Sequence, residues 1–168
     1  MPHPHSADGA LMLSTEPLAL EGLHRELLAP RVRALSASVA DAAARAPWLE
    51  LAAAIDNLSV PLRLQERLAS VIELALSGGR IRREEGPPAE AALAALFRKT
   101  SRGVELAAGL ATLNRALGQL KDSALDGIGV SMRAPGVYVM TIRTTELQLA
   151  IRFDRGGPEV EALEVGIG

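Results

Sequence analysis

The apolar residues of this chain change period once. Over residues 15–126 they recur at helical spacing, every three or four positions, and over residues 128–167 they mostly alternate. The first period belongs to helices that bury one stripe, the second to strands that bury one face. The expected fold is therefore α+β: an N-terminal helical bundle followed by a C-terminal four-stranded antiparallel β-meander. The sheet is expected to pack one face on the last long helix, because the two are adjacent in sequence and closing that contact costs little loop entropy.

The same reading divides the 168 residues. Residues 1–14 are expected to be a disordered tail, 15–79 an N-terminal helical region, 80–88 a polar linker or hinge, 89–126 a long helical segment and 127–168 the meander. Within the helical region, Thr15 and Pro17 signal a helix start that places Leu20, Leu23, Leu27 and Leu28 on one face. Pro30 is expected to end that helix and open another, with Val32, Leu35 and Val39 inward. Pro47 and Trp48 mark a further break, and Ser59 is the expected N-cap of the next helix. Residues 62–76 give a clean amphipathic pattern, with Leu64, Leu68, Val71, Ile72 and Ala75 inward, and Gly78 and Gly79 stop it. A helix beginning near Ala89 buries Leu93, Leu96 and Phe97. The most regular signal is the seam Leu106, Leu110, Leu113, Leu117, Leu120 and Ala124. Beside it lie Gly103, Ala107 and Ala111, and also Gly109 and Gly118; small residues at such a cost in helix propensity suggest a close backbone approach.

In the meander a turn is expected at Ala134, Pro135 and Gly136. A two-residue turn at Thr144 and Thr145 would pair Ile142 with Leu147, Met140 with Leu149 and Tyr138 with Ile151 on one apolar face. The opposite face would then pair Arg143 with Glu146, Thr141 with Gln148, Val139 with Ala150 and Val137 with Arg152. Thr-Thr is a poor primed turn, so a slightly longer loop remains open. A bulge near Ala162 and Leu163 would put Glu159, Glu161 and Glu164 on one acidic side of the last strand.

Few residue types that carry chemistry are available. There is no cysteine, which excludes disulfides, thiolate metal sites and a Cys nucleophile. Of the three histidines, His3 and His5 lie in the tail and His24 is expected to be a partly exposed structural residue. The carboxylates form no metal-binding pattern, and no Gly-rich phosphate loop is present. No catalytic residue, cofactor or metal is assigned. Aromatic residues are 2% of the chain, so the core must be aliphatic and base stacking has little to work with. The net charge is −2, which does not mark a general polyanion binder.

The leading expectation is a non-catalytic interaction protein, an adaptor or structural subunit of an assembly, with a protein partner or self-association. Its candidate contact residues are Val137, Val139 and Ala150 on the outer sheet face, the open sheet edge, and Gly103, Ala107 and Ala111 on the long helix. A nucleic-acid-associated protein is the alternative, using Arg80, Arg82, Arg83, Arg98, Lys99 and Arg102, although Glu84, Glu85, Glu90 and Glu105 interrupt that cluster. A small-ligand sensor or enzyme with a pocket between bundle and sheet is the third reading, with Tyr138, Arg143 and Arg152 supplying polar contacts. No apolar run is long enough to span a membrane, and the start of the chain lacks the basic residues of a signal peptide, so a cytoplasmic location is expected.

Overall fold

The computed structural model describes residues 16–166. The expected tail at residues 1–14, the Thr15 cap, His3 and His5, and Ile167 at the end of the last strand lie outside the described residues. The fold is α+β, with helices preceding a four-stranded antiparallel sheet. The described residues form two compact units, one up to Ser101 and one from Arg102.

The first unit holds five helices: α1 (Gly22–Ser38), α2 (Ala42–Asp56), α3 (Leu62–Leu76), α4 (Arg80–Glu85) and α5 (Pro87–Phe97). Two short strands, β1 (Leu18–Ala19) and β2 (Ser59–Val60), pair antiparallel beside them. This ladder replaces the helix start expected at Thr15 and Pro17. Val60 is β-branched and precedes Pro61, which disfavours helical φ/ψ at Val60. Ser59 is therefore drawn into the strand, and Pro61 takes the N-cap position of α3 in its place. Leu20 is buried ahead of the helix, whereas Leu23 is exposed.

Neither Pro30 nor Pro47 breaks its helix; each lies inside one. Pro30 sits on an exposed position, while Leu27, Leu28, Ala29 and Val32 hold α1 in the core. The start of α2 is fixed by Asp41, whose side chain accepts a hydrogen bond from the Ala44 N–H at 2.6 Å. The α3 pattern is as expected: Leu64, Leu68, Val71 and Ile72 are buried, and Gly78 and Gly79 follow at φ 73° and 64°. The residues expected as a polar linker fold instead as α4, anchored by buried Ile81, and turn into α5 at Gly86 (φ 88°). Pro87 opens α5 without loss because a first-turn N–H has no partner in a helix. One aliphatic cluster ties α1 to α5 together, and it includes Leu28, Leu51, Ile55, Leu68, Ile72 and Leu93.

The second unit holds α6 (Ser101–Gly118) and strands β3 (Leu125–Ala134), β4 (Val137–Thr144), β5 (Leu147–Asp154) and β6 (Gly157–Val165), in the order β3-β4-β5-β6. The expected turn at Pro135 and Gly136 joins β3 to β4. The β4–β5 register differs from expectation by two residues: Ile142 pairs with Leu149, Met140 with Ile151 and Tyr138 with Phe153. The cause is Thr144. Its buried hydroxyl oxygen accepts from the Leu147 N–H at 3.0 Å and from the Glu146 N–H at 3.3 Å, which centres the turn on Thr145 and Glu146, one residue later than expected. A shift of two preserves the side-chain faces, so Ile142, Leu147, Leu149 and Ile151 still form the buried face. The last strand has its bulge at Glu161, between the pairs Ala150–Ala162 and Ile151–Val160.

Helix α6 ends at Gly118, not near residue 126. It packs on the sheet through Leu113 and Ala116, with Leu120 alongside, while Leu110 and Leu117 of the expected seam are exposed. The helix presents Gly109 and Ala116 to the sheet. A Cβ on Gly109 would stand 3.3 Å from the Pro158 carbonyl oxygen, and one on Gly157 would collide with Leu106 Cδ1. The close approach expected from the small residues therefore occurs at Gly109. Gly103 is buried, but Ala107 and Ala111 are exposed.

Candidate interaction surface

Strand β3 is the longest strand and stands at one edge of the sheet. Its alternation sends Ile128, Val130 and Met132 to the face on which α6 lies, since they pair with Ile142, Met140 and Tyr138. The helix covers β4 and β5 and does not reach this edge. Ile128 is 61% exposed, Val130 65% and Met132 65%, and Tyr138 beside Met132 is exposed as well. The other face of the strand carries Gly127, Gly129 and Ser131. No charged residue lies between Asp126 and Arg133, and a register irregularity sits at each end of this stretch. The result is an uncharged edge strand with one apolar face open to solvent.

The residues expected on the outer face do lie on it, but their pairing and exposure differ. Val139 stands opposite Arg152 and Ser131, not Ala150, and is buried at 6% exposure; Val137 and Ala150 are half-buried. Charged side chains occupy this face. Arg133 of β3 pairs with Glu161 of β6, reaching across two intervening strands, and Arg152 pairs with Glu159 and with Asp154 at 3.5 Å. The hydrogen bond that Arg152 donates to Glu159, then the charges of Asp154 and Glu159, raise the Arg152 pKa above its ordinary value and hold the guanidinium charged. The exposed apolar surface thus lies on the face opposite to the one expected. Sequence alternation assigns Ile128, Val130 and Met132 correctly to the helix side; how far α6 reaches across the sheet is not written in it.

The basic residues are largely engaged. Arg80 donates to Glu84 at 2.7 Å, and that hydrogen bond followed by the Glu84 charge raises its pKa. Arg82 pairs with Glu90 at 3.4 Å, and Arg83 donates to the Gly78 carbonyl at 2.8 Å. Arg98 and Lys99 follow the end of α5. Arg102, in the second unit, donates to the Arg155 carbonyl at 3.3 Å.

Among the described residues an open groove lies in each unit. The larger, about 1120 Å³, lies between α6 and the β3–β4 and β5–β6 turns; Arg102, Arg152 and Arg155 line it with Glu105, Asp154 and Glu159, so its charges balance. Of the side chains proposed for ligand contact, only Arg152 reaches it; Tyr138 and Arg143 do not. The smaller, about 620 Å³, is framed by α1, α3 and α4, and Arg31 closes it toward Glu84 and Glu85 at 3.8 and 3.6 Å. His24 is buried, contrary to expectation: its Nδ1 accepts from the Glu21 N–H at 3.0 Å as half of a capping box at the start of α1. Among the described residues no group of three or more His, Cys, Asp or Glu is placed to hold a metal ion. No helix among them is long and apolar enough to cross a membrane.

Compared with known proteins, the chain matches no family model, no curated protein and no solved structure at a significant level.

Proposed function

We propose that the protein is a non-catalytic interaction protein, a subunit or adaptor of an assembly, and that it docks through the apolar face of β3. The observation that carries this reading is the row Ile128, Val130 and Met132, each more than three-fifths exposed on an uncharged edge strand. Burying one such side chain is worth about 1.5–3 kcal/mol, so a partner that covers the row recovers a substantial free energy. The free strand edge adds a line of backbone donors and acceptors. The arginines that would serve a nucleic-acid partner include Arg80 and Arg82, which already share their charge with Glu84 and Glu90. The apolar strip is therefore the better supported surface.

A photoreactive amino acid introduced at position 130 in cells tests the reading. Protein adducts from position 130, and none from a control at exposed Leu49 on α2, are the expected result. Absence of any protein adduct from position 130 overturns it.

A further inference from the structure

The inference drawn here rests on the docking role of β3 and names the partner. We propose that β3 pairs with β3 of a second copy of this chain, antiparallel, about a two-fold axis passing beside Val130.

The sheet has two edges, and they differ. The β6 edge carries Glu159, Glu161 and Glu164, with a bulge at Glu161. Charges and bulges of this kind keep an edge from pairing, and two such edges brought together would repel. The β3 edge has neither device between Gly127 and Met132. Pairing β3 with β6 of another copy would be head-to-tail and would leave edges open for further growth, whereas β3 with β3 closes after two copies.

The residues of β3 also select a register. With Val130 opposite Val130 of the second copy, Ile128 meets the second copy's Met132, and Gly129 meets its Ser131. All the apolar side chains then form one ladder, continuous with the face that carries α6, and small residues meet on the other side. Arg133 falls opposite Gly127 of the second copy, but its guanidinium is turned away from the junction, toward Glu161 of its own chain, so no like charges face each other across the paired stretch. A two-residue slip, with Gly129 opposite its own copy, would set Met132 against Asp126 and lose the match. A one-residue slip would put apolar side chains opposite Gly or Ser.

The absence of cysteine from the chain makes the register directly readable. Directly opposed Cβ atoms lie about 5 Å apart. Position 128 lies about 13 Å along the strand from its own counterpart, beyond disulfide reach. Under mild oxidation, Val130→Cys should become a disulfide-linked dimer and Ile128→Cys alone should not. A mixture of Ile128→Cys and Met132→Cys should cross-link. Light scattering should give the wild type twice the monomer mass and Val130→Lys, folded by circular dichroism, the monomer mass. A monomeric wild type across a concentration series overturns the pairing, as does equal cross-linking of Ile128→Cys and Val130→Cys. If the wild type is monomeric but position 130 photo-cross-links to a different protein, self-pairing fails and the docking role stands. If there is no adduct at all, both fail.

Discussion

Thr144 shows how much one hydroxyl decides. It is buried at the end of β4 and accepts from the backbone N–H groups of Glu146 and Leu147 just beyond it, so it sets the position of the turn and with it the pairing of every residue in β4 and β5. Valine has the same shape and no acceptor. Thr144→Val would leave the buried Leu147 N–H without its partner, at a cost of about 1–3 kcal/mol. Thr144→Ser should retain most of the stability. Chemical denaturation of the two variants tests this: equal losses would mean that the methyl group, not the hydroxyl, fixes the loop. Gly157 is comparably constrained. Its φ of 107° and its position against Leu106 leave no room for a side chain where β6 begins beneath α6.

At the scale of elements, the leucine seam of α6 is divided, and the sheet covers only part of it. The stripe that packs is built from Leu113 and Ala116, with Gly109 allowing the helix backbone close to Pro158. Leu110 and Leu117, equally regular in sequence, remain in contact with water. Truncation should separate them. Leu113→Ala removes buried methyl groups from a packed core and should cost about 2–5 kcal/mol. Leu117→Ala, on the exposed side, should stay within about 1 kcal/mol of the wild type. Thermal unfolding reads both; comparable losses would show that the outer leucines are covered in solution. Helices α1 and α2 show the opposite relation between pattern and fold. Pro30 and Pro47 are strong local breakers, yet core contacts on either side keep each helix continuous.

At the scale of the molecule, the two units have separate cores. The first is the aliphatic cluster of α1 to α5, the second the contact between α6 and the sheet, and they share no residue. The single Trp, Trp48, belongs to the first, where the Arg67 guanidinium lies 5.0 Å from its ring centre. Its fluorescence therefore reports unfolding of the first unit alone. Leu149→Ala empties the centre of the second core and should reduce hydrogen-exchange protection of β4 and β5 while leaving the Trp48 transition nearly in place. A Trp48 transition shifted as far as the sheet's would mean that the units unfold together.

The sequence by itself determined the order of elements, the fold class and the faces of the strands. These follow from period, and period survives a two-residue error in register: Met140, Ile142, Leu149 and Ile151 reach the helix side in either pairing. It also determined α3 and its glycine stop, where pattern and backbone preference agree. Only the tertiary structure decided which part of the α6 seam is inner, that Val139 is buried and that Val130 is not. Exposure depends on how far one element reaches over another, and here that reach follows from the approach allowed at Gly109 and from the narrowness of one helix over four strands. The continuity of α1 and α2 through their prolines was likewise a tertiary outcome, because core burial outweighs the loss of one backbone hydrogen bond.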